Sequence, residues 1–345
     1  MPDHSLSDRE RLVLDAVIQS YVSTAEPAGS RTIAKNFALG VSAATIRNTM
    51  SDLEDRGYLY HPHTSAGRIP TDLAYRVYVD RLMAPSFLTR PQHDALAREL
   101  RDGSTEIESL LEKAAQVLGV LTQELGIAVS PSFEEAVLER LELVPVSSER
   151  ILMVLVLRNA IARTIFIEVE SGLPGEAVGK VASVLNERLS GSTLREIRAT
   201  VRERLRDIDG HDSRQELLNI FVEEADQLFD GSGTEDDAIK LSSAQMLADQ
   251  PEFKSNEKMR DLIELTERRE VLMTALRARH RDGLTVTIGA EHLDQRLSSL
   301  TLVTSTYQLD GLSGVIGVMG PTRMPYDKII ALVEHTSRLI GDLRR

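Results

Sequence analysis

Two adjacent side chains near the start of the chain, Arg47 and Asn48, each carry groups that can bond a planar partner in two places at once. Asparagine matches an adenine edge in this way and arginine a guanine edge, so the pair could read bases if a helix presented it to a groove. At about 100° per residue, Ala44, Arg47, Asn48, Ser51 and Asp55 share one helical face. Ala43, Ile46, Met50 and Leu53 share the opposite, apolar one. One face would pack and the other would stay free. The candidate contacts on this helix are Ser42, Ala44, Thr45, Arg47, Asn48 and Ser51. Beyond Gly57 the residues Tyr58, Leu59 and Tyr60, a turn from His61 to Gly67, and a return through Arg68 and Ile69 to Pro70 spell a two-stranded wing. It would offer His61, His63 and Arg68 to a phosphate backbone, Thr64 and Ser65 as neutral donors, and Gly67 as a point of close backbone approach. Arginine and asparagine on an outer helical face are by themselves usually only solvated, so the case depends on what surrounds them.

The surroundings supply a frame. Ser42 is a suitable N-cap, with Val41 and Ile46 placed as a hydrophobic staple. Upstream, Ser7 and Glu10 form a capping box before a helix striped by Val13, Leu14, Val17, Ile18 and Tyr21. A turn through residues 26–29 leads to Ser30, read as the N-cap of a short helix carrying Ile33, Ala34 and Phe37 and ending near Gly40. Two short helices joined by a tight turn and followed by a hairpin make a winged helix-turn-helix.

Farther along, Thr71 or Asp72 caps a helix with Leu73, Val77 and Leu82, and prolines 85 and 91 bracket a linker over residues 84–92. Thr105 and Glu108 form another capping box before a long amphipathic helix. Residues 137–146, 151–157 and 161–169 read as consecutive antiparallel strands, covered by a helix from about residue 174 to 189. Strand texture returns at 284–288, 300–306 and 315–319, closed by a helix from residue 326. Between the two strand regions residues 194–281 read as mainly helical. Their stripes, Leu217, Leu218, Phe221 and Leu228, then Met259, Leu262, Ile263 and Leu272, exceed what one small segment buries alone. The expected fold is multidomain α+β, an α+β domain divided by a helical insert, with units at residues 1–84, 93–193, 194–281 and 282–345.

The chain has 345 residues, a formal net charge of −13 and no cysteine. Disulfides and thiolate chemistry are thereby excluded, and a reducing cytoplasm is the expected compartment. No signal-peptide core or membrane-length apolar run is present, so no membrane partner is expected. The negative charge opposes general DNA affinity. From Arg31 to Arg76, however, the six cations Arg31, Lys35, Arg47, Arg56, Arg68 and Arg76 face four carboxylates. A weak basic patch on an acidic body suits selective rather than indiscriminate binding. Gly311, Gly314, Gly317 and Gly320 match no phosphate loop, His61 and His63 lack a third ligand, and no hydrolase or zinc-protease motif occurs. No catalytic residue, cofactor or metal is expected. Arg323 reads as a brace between domains.

The stretches EPAGSRTIA (26–34), GVSAATIRNTMSDLEDRGYL (40–59), PHTSAGRIPTDLAYRVYVDRL (62–82), QPEF (250–253) and GVIGVMGPTRMPYDKII (314–330) closely resemble the bacterial heat-inducible transcription repressor family, HrcA. The resemblance spans nearly the whole chain. It implies a homodimeric repressor of chaperone genes that binds an inverted-repeat operator on double-stranded DNA and depends on a GroEL-type chaperonin. It also implies a GAF-like domain interrupted by a dimerisation domain. Two departures stand out: Thr49 where the family commonly has an acid, and Ser242 and Ser243 where it tends to have glycine. A small-molecule-gated regulator, and a winged module used for protein contact, are the competing readings.

Overall fold

The computed structural model describes residues 6–63, 66–84, 86–101, 107–158, 161–169, 175–206, 213–229, 239–267, 269–277, 283–309 and 311–342. Thr105, expected to cap the long helix, lies outside them.

The chain starts with helix α1, Asp8–Thr24, whose capping box of Ser7 and Glu10 forms as expected and whose Val13, Leu14, Val17 and Ile18 are buried. Helix α2 is Ser30–Asn36, with Gly29 as its N-cap; Ser30 is already helical and makes no cap. Gly40, at φ +70°, then turns the chain into α3, Ala43–Asp55, a conformation open to glycine without a Cβ penalty. Strands β1, Leu59–Tyr60, and β2, Ile69–Pro70, pair antiparallel. Helix α4, Asp72–Val77, is capped by Thr71 and continues as a π turn over Tyr78–Leu82.

A helix the sequence reading did not contain, α5, Arg90–Arg101, begins inside the expected linker. Pro91 stands in its first turn, where a missing N–H costs nothing. Helix α6, Ile107–Thr122, leads to β3, Leu125–Val129. An antiparallel sheet of β4, Leu138–Pro145, β5, Arg150–Leu157, and β6, Ile161–Glu168, follows, then helices α7, Gly175–Leu189, α8, Leu194–Arg204, α9, Ser213–Glu223, and α10, Ala225–Leu228. Next come β7, Ile239–Leu241, and helices α11, Gln245–Ala248, α12, Asn256–Glu267, and α13, Arg269–Arg277. Strands β8, Thr285–Ile288, β9, Leu300–Leu309, and β10, Leu312–Pro321, precede the last helix, α14, Tyr326–Asp342. The protein is thus mixed α+β.

The larger sheet runs β7-β3-β10-β9-β8, so two strands from the middle of the chain complete a meander from its end. Alternation along the strands assigns its two faces to different layers. Ala128, Val303, Tyr307, Ile316 and Val318 join the core that holds α6, α14 and the helices of the first 84 residues. Ile127, Val129, Leu302, Val315 and Met319 pack against Leu247, Phe253, Leu262, Leu265 and Leu272 from α11 to α13 and the turn between them. A separate core sits under β4–β6, where Leu138, Ile151, Met153, Leu155 and Ile167 meet Val181, Leu185, Ile197, Leu217, Phe221 and Leu228.

Residues 194–229 therefore close the core of the smaller sheet, while 239–277 cover the larger one. The expected break at 193/194 falls inside one core, and the expected insert 194–281 is divided between two. Periodicity shows that a helix has an apolar stripe but not which sheet will cover it. For the same reason Leu217, Leu218, Phe221, Leu228, Leu262 and Leu272 are spent inside the chain rather than left for a second copy.

Candidate nucleic-acid interface

Helix α3 is set by its cap and its buried face. Ser42 Oγ accepts the Thr45 N–H at 3.1 Å. Ile46, Thr49, Met50 and Leu53 are buried, while Ser42, Ala44, Arg47, Asn48 and Ser51 are exposed and Thr45 is half-buried. The apolar stripe faces α1, so the Arg47–Asn48 pair points away from the protein. Thr49 donates to the Thr45 carbonyl at 3.1 Å and belongs to the packing, not to the free face.

The hairpin is docked rather than free. Leu59 pairs with Pro70 and Tyr60 with Ile69, and the Arg68 backbone exchanges hydrogen bonds of 2.8 and 2.9 Å with Ala28 in the turn before α2. A Cβ on Gly67 would lie 2.5 Å from backbone atoms of Pro27 and Ala28. The close approach that requires glycine here is to the chain's own turn. Arg68, expected as a cation available to phosphate, is only 14% exposed, and its Nη2 sits 2.7 Å from Glu54 Oε2. His61 Nδ1 lies 2.5 Å from Glu54 Oε1, and His63 is exposed. Thr64 and Ser65 lie outside the described residues.

Glu54 is thus a site residue that sequence reasoning missed, having counted it only as charge set against the basic patch. Its spacing was the available signal: seven residues after Arg47, it lies on nearly the same helical face, beside a hairpin with basic ends. Other patch cations are also engaged. Arg56 bonds Glu10 at 2.7 Å and lies over the Tyr58 ring, and Arg76 bonds Glu291. Burial works to raise the Glu10 carboxyl, but bonds from Ser7 and Arg56 outweigh it and hold the group below its ordinary value. Arg31, Lys35 and Arg47 are exposed. Arg31 and Lys35 lie on α2 and Arg47 on α3, two helices that pack against each other.

Three contacts seat this unit on the rest of the chain. Arg323 donates to the Val22 carbonyl at 2.9 Å near the end of α1, and to both oxygens of Glu252 at 2.6 and 3.0 Å. The brace expected of Arg323 is therefore observed, and it joins the GPTRM and QPEF stretches. Arg76 bonds Glu291 through Nε at 2.7 Å and the Val286 carbonyl at 2.6 Å, while Asp72 accepts the Ala290 N–H at 2.9 Å. Among the described residues no helix is long and apolar enough to cross a membrane.

A family model described as the HrcA protein C terminal domain matches residues 108–330. The heat-inducible transcription repressor HrcA of Chlorobium phaeobacteroides strain BS1 is 40% identical over 343 residues, covering 96% of each chain. The protein of the same name from Geobacter sulfurreducens is 36% identical, covering 98% of each. A crystal structure of a hypothetical protein has a TM-score of 0.57 at 22% identity, covering 98% of this chain and 100% of that one, a likeness of fold alone. Both the first helices that carry the exposed Arg47–Asn48 pair and the body that seats them lie within the matched length, and the chain belongs to the HrcA family of heat-inducible transcription repressors.

Proposed function

We propose that the protein is a DNA-binding repressor of chaperone genes that reads an inverted-repeat operator through a winged helix-turn-helix. Helix α3 would lie in the major groove, with Arg47 and Asn48 on base edges, Ser42, Ala44, Thr45 and Ser51 beside them, and the hairpin on the flanking backbone. The observation that carries this is the division of α3 into a fully packed face and an exposed face bearing that pair. Footprinting on promoter DNA of chaperone operons from the source genome tests it. Protection of an inverted repeat, weakening steeply with salt, is expected; binding indifferent to salt refutes it.

An inverted repeat calls for a two-fold symmetric reader. The outward face of the smaller sheet is the surface we assign to the second copy. Val144, Leu152 and Phe166 stand in one cross-strand row, Val144 and Phe166 being 45% and 57% exposed, with Val146 beside them at 56%. Such a row on a sheet face is costly to leave in water. On this reading the dimerising unit is residues 136–229, inserted into a GAF-like body made of the larger sheet and its helices. The family likeness further supports dependence on a GroEL-type chaperonin in the cytoplasm. Freshly diluted protein should gain operator-binding fraction when such a chaperonin and ATP are added; unaided recovery, indifferent to a competing unfolded client, refutes this.

One observation favours a second reading, regulation by a small molecule. A cleft of about 450 Å³ lies between the reading unit and the body, lined by Tyr21, Tyr60, Tyr75, Phe253, Leu262 and Arg323 among others. A ligand there would raise the melting temperature and alter operator affinity together.

A further inference from the structure

The residue that follows β1 and the residue that precedes β2, His61 and Arg68, are both fastened to one carboxylate. Glu54, in the last turn of α3, holds His61 Nδ1 through Oε1 at 2.5 Å and Arg68 Nη2 through Oε2 at 2.7 Å. The three side chains are shielded, with exposures of 27% for Glu54, 31% for His61 and 14% for Arg68. Arg68 is pinned from a second side by its backbone pairing with Ala28, and the Gly67 backbone lies so close to Pro27 and Ala28 that a Cβ would not fit there. Seven residues separate Glu54 from Arg47, so the carboxylate sits on the reading side of α3, about 10 Å farther along the axis.

We propose that Glu54 is a positioning residue for DNA recognition, clamping His61 and Arg68 of the hairpin to α3 and withholding the Arg68 guanidinium from phosphate. The inference rests on the DNA-binding reading given above. An unclamped Arg68 would neutralise a phosphate on any sequence, raising operator and random affinity alike and leaving selectivity lower. A clamped one forgoes that generic term and holds the hairpin at a fixed offset from Arg47 and Asn48. Only a duplex placing its backbone at that offset then satisfies helix and hairpin together.

The test compares the unmodified protein with Glu54→Ala on two duplexes, the inverted repeat that footprinting defines and a scrambled duplex of equal length. Titrations run at several salt concentrations and at a single fixed pH. For Glu54→Ala the random-duplex log–log salt slope should steepen by about 0.9, one added phosphate. The operator-to-random affinity ratio should fall by roughly tenfold or more, as the loss of one good contact's discrimination would give. The double variant Glu54→Gln, Arg68→Gln keeps both side chains polar and removes both charges, which guards against a fold weakened by an unpaired arginine. Its slope should return to the unmodified value while its ratio stays low. A lowered ratio with an unchanged slope in Glu54→Ala would mean a merely structural role and overturn the proposal. So would a double variant that keeps the steep slope, or a ratio within twofold of the unmodified protein. If the unmodified protein protects no duplex, the DNA-binding reading falls and takes this inference with it; if it protects the repeat and Glu54→Ala behaves identically, only the clamp falls.

Discussion

Replacing Glu124 by glutamine should stabilise the protein at high pH and do almost nothing at low pH. Glu124, immediately before β3, is 2% exposed, its Oε2 has no hydrogen-bond partner, and a Cβ on Gly320 would press directly against it. Burial drives its carboxyl up to about 8, with Glu252 adding to the rise and Gln250 and Arg323 partly opposing it. The folded chain therefore holds a proton that the unfolded chain releases above the ordinary carboxylate range. Because the native state binds more protons across that window, stability is full below the unfolded pKa and is lost as pH rises toward 8. Between pH 5 and pH 7 the loss amounts to about 3 kcal/mol, levelling above pH 8 at roughly 4 to 5 kcal/mol. Glutamine keeps the shape and has no proton to hold, so the variant escapes the loss. Urea denaturation followed by far-ultraviolet circular dichroism, which suits a chain without tryptophan, measures both proteins across this range. The gap should open from near zero at pH 5 to about 4 kcal/mol at pH 8. A gap of constant size, or one that closes as pH rises, refutes the reasoning, since it would mean Glu124 is ionised in the folded protein throughout.

Asn48→Ala and Arg47→Ala should each cost roughly 1 to 3 kcal/mol on the operator and relax its discrimination, read by equilibrium titration against single-base variants of the site. Arg68→Ala, by contrast, should leave the salt slope of binding unchanged, because its guanidinium is already committed to Glu54. Gly67→Ala places a methyl 2.5 Å from the Pro27 and Ala28 backbone and should destabilise the docked hairpin by about 1 to 3 kcal/mol. An unchanged melting temperature would show that the hairpin is not seated there. Phe166→Glu puts a charge at the β6 end of the exposed sheet row and should shift sedimentation from dimer toward monomer without altering circular dichroism; an unaltered dimer places the interface elsewhere.

Local signals carried over to the fold where the deciding physics is local. The capping box of Ser7 and Glu10, the Ser42 cap and the 3.6-residue stripe through Ile46, Met50 and Leu53 define α1 and α3 without reference to anything distant. Strands β4 to β6 follow similarly from short apolar runs. At Arg68 and Gly67, whose partners lie elsewhere in the chain, the reading failed. Arg68 looked available because nothing near it in sequence opposes it, yet its counter-charge stands fourteen positions back, on a helix that folding lays against the hairpin. Gly67 looked like room for a ligand and is room for Pro27 and Ala28. Proline 91 looked like a linker because its cost inside a helix is large, although in a first turn that cost vanishes.

The same remoteness links folding to the proposed activity. Strand β3 finds its neighbour β10 only when Val129 meets Val315 and Leu125 meets Met319, with the whole smaller sheet and its helices lying between them in sequence. Closing such a gap before any contact rewards it is slow, and β3, apolar on both faces, is exposed until it happens. The reading unit depends on that closure. Its Tyr75 ring packs 5.7 Å from Tyr326 of α14, Arg323 at the end of β10 grips the last turns of α1, and Arg76 reaches the turn after β8. Every one of these anchors lies in the part of the chain made last. A chain whose β10 has not yet paired would carry Arg47 and Asn48 on a helix that can form locally, but with nothing to fix the unit's direction relative to a second copy. Two such units would each keep their contacts with a half-site and lose the spacing between half-sites. The supply of repressor competent for an inverted repeat would then be set by completion of the larger sheet, a step that sheltered folding accelerates and competition from other unfolded chains delays.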